Sequence, residues 1–127
     1  MNIKYLIPWF AYRSWSGYND ELVWSALWLH KATGDDTYLT KAQNYYSEFG
    51  LRGQNGVFSW DDKVAGAKIL LAQATGSTDD LNAVKEICQA YLNQPKSPKG
   101  RSHFMTWGSL RYSSNAAFIC LQVFPKF

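Results

Sequence analysis

Apolar positions recur with helical spacing in five stretches of the chain, and the stretches are of two kinds. From Asp20 to Thr33 the residues Leu22, Val23, Trp24, Ala26, Leu27, Trp28 and Leu29 are apolar nearly all round, which predicts a helix covered on most sides. From Asp36 to Phe49 the positions Tyr38, Leu39, Ala42, Tyr45, Tyr46 and Phe49 form one stripe, with Lys41, Gln43, Asn44, Ser47 and Glu48 opposite, so this helix should keep a solvent face. The stretch Asp61 to Thr75 returns to the covered pattern. Asp79 to Asn93 is again amphipathic, and Trp107 to Phe124 is almost continuously apolar from Ala116 to Leu121. Covered and half-exposed helices therefore alternate.

The alternation coincides with an internal repeat. Ala32-Thr33-Gly34 recurs as Ala74-Thr75-Gly76 after 42 residues, each glycine falling where a helix end calls for a left-handed residue. In the same register Tyr18-Asn19-Asp20 lies on Trp60-Asp61-Asp62 and Leu29 lies on Leu71. Helical hairpins repeated at this period stack as a solenoid or close as a ring, since one hairpin alone cannot bury its apolar face. Alternation of covered and exposed helices favours the ring, with one helix of each pair inside. The fold class expected is all-α, helical hairpins forming part of an (α/α) barrel in one domain over residues 1–127.

Composition adds a qualification to this helical picture. The chain has 127 residues, 46% hydrophobic and 18% charged, a balance that suits a packed core. Aromatic residues reach 17%, six of them Trp, more than a core of this size requires. The net charge of +3 is spread without a basic run, which gives nucleic-acid binding no support. No apolar stretch reaches the length of a membrane span. Met1 to Phe10, interrupted by Pro8, lacks the length and cleavage chemistry of a secretory signal, so no signal peptide is expected. Cys88 and Cys120 sit at apolar positions of helical patterns and are expected as buried free thiols. No Cys, His or Asp pairing has metal-ligand spacing and no acidic loop has a calcium pattern, so no metal or cofactor is expected.

An aromatic residue followed by acidic, amide or small polar groups precedes each covered helix: Tyr18-Asn19-Asp20, Trp60-Asp61-Asp62 and Trp107-Gly108-Ser109. Inner helices of a ring share a direction, which gathers these junctions at one mouth. Aromatic rings stack on pyranose faces and carboxylates bind hydroxyls, so the mouth would suit a sugar. The same residues also serve as ordinary caps and hydrophobic staples. His30, among apolar residues, is expected to be a hydrogen-bonded core histidine, and His103 lies in the loop before Trp107 where it could face a ligand.

Four linked stretches carry a resemblance. Tyr18-Asn19-Asp20-Glu21-Leu22-Val23-Trp24, Ala32-Thr33-Gly34-Asp35 with Tyr38-Leu39-Thr40-Lys41-Ala42, Phe58-Ser59-Trp60-Asp61-Asp62-Lys63, and Trp107-Gly108-Ser109-Leu110-Arg111 with Asn115-Ala116-Ala117-Phe118 resemble consecutive segments of family 9 glycoside hydrolases, the cellulases. They follow the family's order and cover about Ser14 to Gln122, whereas residues 1–13 are atypical. The resemblance implies an (α/α)6 barrel, a β-1,4-glucan substrate, inverting endo-hydrolysis and an extracellular setting. The family's base lies in an Asp-Ala-Gly-Asp motif upstream of these segments and its acid is a Glu downstream; neither is among these residues. Where relatives tend to read Arg-His-Ala-Ala-Asn, this chain has Arg111-Tyr112-Ser113-Ser114-Asn115.

Inversion needs two carboxyl groups about 6.5–9.5 Å apart with a water between. Asp20, Glu21, Asp61 and Asp62 line or support the cleft in the family and do not supply that pair, so no catalytic residue is assigned and the isolated chain is expected to hydrolyse weakly or not at all. The substrate-binding set implied is Trp60, Trp107, Arg111, Tyr18, Asp20, Asp61 and Asp62, with Arg111 either a hydroxyl partner or a bridge to Asp20 or Asp62. Two other readings stand beside this one: a carbohydrate-binding remnant without catalysis, or a helical interaction module. Self-association through uncovered inner helices is an expected property.

Overall fold

The computed structural model describes residues 14–123, so the segment 1–13, expected to be atypical, lies outside the described residues. Five α-helices follow in order: α1 Asn19–Thr33, α2 Asp36–Glu48, α3 Val64–Thr75, α4 Thr78–Leu92 and α5 Ser109–Leu121, with a 3-10 turn at Leu51–Gly53 between α2 and α3. No helix among them is long and apolar enough to cross a membrane.

The repeat is visible in the hydrogen bonds that end the inner helices. Gly34 and Gly76 adopt φ of 71° and 66° and return their N–H groups to His30 and Ala72 carbonyls. One residue earlier, Thr33 and Thr75 donate their hydroxyls to Leu29 and Leu71 carbonyls at 2.7 and 2.8 Å. Each hydroxyl also accepts an N–H from the next helix's entry, Asp35 or Ser77, at 3.1 Å. Asp35 and Ser77 then cap α2 and α4 through Thr37 N–H at 2.8 Å and Asp80 N–H at 3.2 Å. Ala-Thr-Gly is thus a complete local instruction to stop one helix and start its antiparallel partner.

α1 pairs with α2 and α3 with α4 as hairpins, while α1 lies against α3 and α5 against α4 and α3. Contacts along their lengths fix direction. Asp20 meets Lys63 and Trp24 meets Phe58 near the starts of α1 and α3, and Leu27, His30 and Lys31 share a cavity with Leu70, Gln73 and Ala74 near their ends. α5 rises with α3 in the same way, from Asn115 beside Phe58 to Gln122 beside Gln73. The three helices read as covered are therefore parallel, with α2 and α4 outside them.

α3 lies at the centre, buried without interruption from Val64 to Leu71, and contributes to both core clusters. One joins it to α1, α2 and the 3-10 turn through Val23, Leu27, Ala42 and Leu51; the other joins it to α4 and α5 through Val84, Ile87 and Ile119. Gly66 permits this density, since a Cβ there would lie 2.5 Å from the Trp24 ring and 2.7 Å from Phe58.

Four expectations need correction. Cys88 and Cys120 are not free thiols but a disulfide joining α4 to α5, their Cα atoms 5.6 Å apart. α3 begins at Val64, three residues later than the repeat predicts, because Asp62 takes the Val64 N–H that would close an earlier turn. α1 leaves Leu22, Trp28 and Leu29 exposed, Trp28 in an open cavity that it shares with Gly66 and Leu70 of α3 and Phe118 of α5. His30 lies in the last turn of α1 and is only part-buried, its Nδ1 3.3 Å from the Asp35 carbonyl and 3.7 Å from the Asp36 carboxylate.

Candidate functional site

The starts of α1 and α3 are tied together by the acidic residues of the two junctions. Asp20, 3% exposed, accepts the Lys63 N–H with Oδ2, a bond between residues 43 apart in sequence. Asp61 Oδ1 accepts the Trp15 N–H at 2.8 Å, and the Ser16 hydroxyl donates to the Asp61 carbonyl. Asp62 Oδ1 accepts the Val64 N–H at 3.0 Å. Ser59 completes the turn: its hydroxyl accepts N–H groups of Asp61 and Asp62 at 3.2 and 3.3 Å, and its N–H donates to the Asp62 carbonyl at 2.9 Å. The N–H groups of residues 61 to 64 are all bonded to side chains, and that of Val64, which a helix begun at Asp61 would return to the Trp60 carbonyl, goes to Asp62 instead. That is why α3 starts late.

Electrostatics at the junction follow from this crowding. Burial raises the Asp62 carboxyl above its ordinary range, against the Val64 N–H, which lowers it, and Asp20 and Asp61 add repulsion. Glu21 is displaced further, to about 7, first by burial and then by its side-chain hydrogen bond to Asp20. Glu21 Oε2 is buried without a partner of its own, which makes the ionised form costly. Glu21 is therefore partly protonated near neutrality.

The aromatic residues behave differently from the acids. Tyr18, Trp60 and Trp107 are 70%, 39% and 88% exposed and are not buried staples. At the start of α3 the carboxylates of Asp20 and Asp62 take main-chain N–H groups, whereas the three aromatic residues stay accessible. Trp15, 71% exposed, joins the same surface through its N–H bond to Asp61. Sequence reasoning missed it; its place two residues before Gly17 in the strand of residues leading to Tyr18 was the available signal.

Tyr18, Asp20, Trp60, Asp61 and Asp62 are thus brought together. Trp107 and Arg111 belong to the start of α5, at the same end of the parallel helices but not in contact with the acidic residues. Arg111 bridges neither Asp20 nor Asp62; its guanidinium lies 4.6 Å from the centre of the Tyr112 ring. His103 is exposed, its N–H bonded to the Pro95 carbonyl at 2.7 Å, and it does not reach the carboxylates.

Comparison with known proteins points to one family. The profile of glycosyl hydrolase family 9 matches residues 6–126. The chain belongs to glycosyl hydrolase family 9. Endoglucanase B of Cellulomonas fimi is 43% identical over 122 residues, 87% of this chain and 12% of that relative. The endoglucanase structure from the termite Nasutitermes takasagoensis superposes with a TM-score of 0.81 at 45% identity, and that of a cellulase of C. cellulolyticum with 0.77 at 29%. Each superposition covers 84% of this chain and 25% of the solved chain. This family 9 chain therefore spans a quarter or less of these relatives' lengths, and its five helices match part of their (α/α)6 barrel.

Proposed function

We propose that this family 9 chain forms part of the β-1,4-glucan-contacting wall of an inverting endoglucanase and that, as an isolated polypeptide, it binds glucan without appreciable hydrolysis. The observation that carries this reading is the surface at the starts of α1 and α3, where Trp15, Tyr18 and Trp60 are exposed around a frame of carboxylates. Stacking rings and fixed acceptors are what an oligoglucoside chain requires. Asp20, Asp61 and Asp62 each hold a main-chain N–H, an occupation that suits a frame better than an acid–base pair. Trp107 and Arg111 would extend the wall along α5. The Cys88–Cys120 disulfide supports an oxidising, extracellular setting.

Titration with soluble cello-oligosaccharides tests the reading. Trp60→Ala and Trp107→Ala should each weaken binding about tenfold, or ~1.4 kcal/mol, with helical circular dichroism nearly unchanged. Reducing-end release from a soluble cellulose derivative should be absent or very weak, because each missing acid or base is worth about 10²–10⁴-fold. Endoglucanase-like rates abolished by Asp20→Asn or Asp61→Asn would overturn the non-hydrolytic part. The interaction-module reading draws on a separate observation, the exposed apolar flanks Leu22, Trp28 and Leu29 on α1 and Leu110, Phe118 and Leu121 on α5.

A further inference from the structure

The segment from the 3-10 turn to Trp60 carries little apolar anchorage just after Leu51, where residues 52 to 55 are exposed. It is nevertheless fastened from below by three polar side chains, one from each of three successive helices. Lys68 on α3, wholly buried, donates from Nζ to the carbonyls of Arg52 and Gln54 at 3.0 and 2.6 Å and to Asn55 Oδ1 at 3.4 Å. Tyr91 on α4 donates its hydroxyl to the Gly56 carbonyl at 2.7 Å. Asn115 on α5 donates from Nδ2 to the Phe58 carbonyl at 2.8 Å. Every anchor is a side-chain donor aimed at an oxygen of the same segment, and the segment runs directly into Trp60-Asp61-Asp62.

Gly56 shows how closely the loop and the turn are fitted. A Cβ at this position would fall 1.6 Å from Asp62 Oδ2, so the loop backbone rests against the carboxylate that caps α3. Moving the Gly56 peptide would move Asp62, and with it the Ser59 turn that carries Trp60.

We propose that Lys68, Tyr91 and Asn115 are positioning residues for the Trp60-Asp61-Asp62 turn, three donors from three helices that set its height and orientation through the segment 52–58. None of them touches the proposed carbohydrate surface; they act through the loop. The assignment of that turn to glucan rests on the function proposed above, whereas the positioning itself is independent of it.

Two-dimensional amide and indole nuclear magnetic resonance of Tyr91→Phe, Asn115→Leu and Lys68→Met tests the positioning without ligand. Each variant keeps most of the side-chain volume and removes the donor. The Trp60 indole and the Asp61 and Asp62 amides should shift in all three, the 54–62 amides should exchange at least tenfold faster, and the Thr37 and Tyr38 amides at the start of α2 should stay in place. Lower stability with unmoved Trp60 and Asp62 resonances in the folded state would overturn the proposal. Should Lys68→Met fail to fold, Tyr91→Phe, which loses one hydroxyl, decides alone. In a second arm, Tyr91→Phe should weaken cello-oligosaccharide binding three- to tenfold. If the unaltered chain binds no oligosaccharide while the resonances shift, the glucan reading fails and the positioning role stands.

Discussion

Lys68 shows how a single side chain can be both expensive and necessary. Burial, then the nearby Arg52 charge, lowers its ammonium to about 8, while Glu86 and Asp62 act in the opposite direction. Between about 8 and the ordinary lysine value of 10.5 the unfolded chain holds a proton that the folded chain has released, so this group makes stability rise with pH across that window. Urea denaturation of the wild type and Lys68→Met should therefore show a gap that widens in the wild type's favour from pH 8 to 10.5 and stays flat below 8. A gap independent of pH would contradict the lowered value. Gly66 presents the opposite constraint, space without charge. Gly66→Ala places a methyl group against Trp24 and Phe58 and should cost about 1–3 kcal/mol in the same assay. The helical pattern marks position 68 as facing the core, yet it cannot name the carbonyls that receive the ammonium, which lie 13 to 16 residues earlier in an irregular loop.

At the scale of elements, α5 is the last described helix and is held to α4 by a covalent bond. It buries only Ala116 and Ile119 fully, whereas α3 buries eight successive residues. The Cys88–Cys120 bond compensates by closing a loop with a sequence separation of 32, which in the chain-entropy account stabilises by about 3–4 kcal/mol. Replacing both cysteines by Ala should lower the denaturation midpoint and loosen α5 first, with amide protection in the α1–α2 hairpin largely retained. Uniform loss of protection would show instead that α5 unfolds only with the whole. Helix periodicity placed each cysteine on an apolar face but could not report that the two faces meet, because pairing depends on how α5 returns across α4.

The whole molecule is an arc of parallel inner helices with outer partners, and its two ends differ from its middle. α3 has inner neighbours on both sides and is buried; α1 and α5 present Trp28 and Leu29, and Phe118 and Leu121, to solvent. Contiguous apolar surface of this kind seldom stays open in a soluble monomer. Sedimentation of the isolated polypeptide should therefore show concentration-dependent self-association, reduced by Leu29→Lys or Leu121→Lys. A stable monomer at high concentration would count against it.

The sequence by itself determined what depends on near neighbours: the five helical periods, the Ala-Thr-Gly stops and the caps that follow them, and the 42-residue repeat that makes α1 and α3 equivalent. Each of these is settled within one or two turns of chain, by the pitch of the helix and by hydrogen bonds spanning two to four residues. The tertiary structure alone decided which cysteines bond, what surrounds Lys68 and which junction residues face outward. Those outcomes turn on contacts such as Asp20 with Lys63 and Asn115 with Phe58, across 43 and 57 residues, whose geometry exists only after the helices have packed.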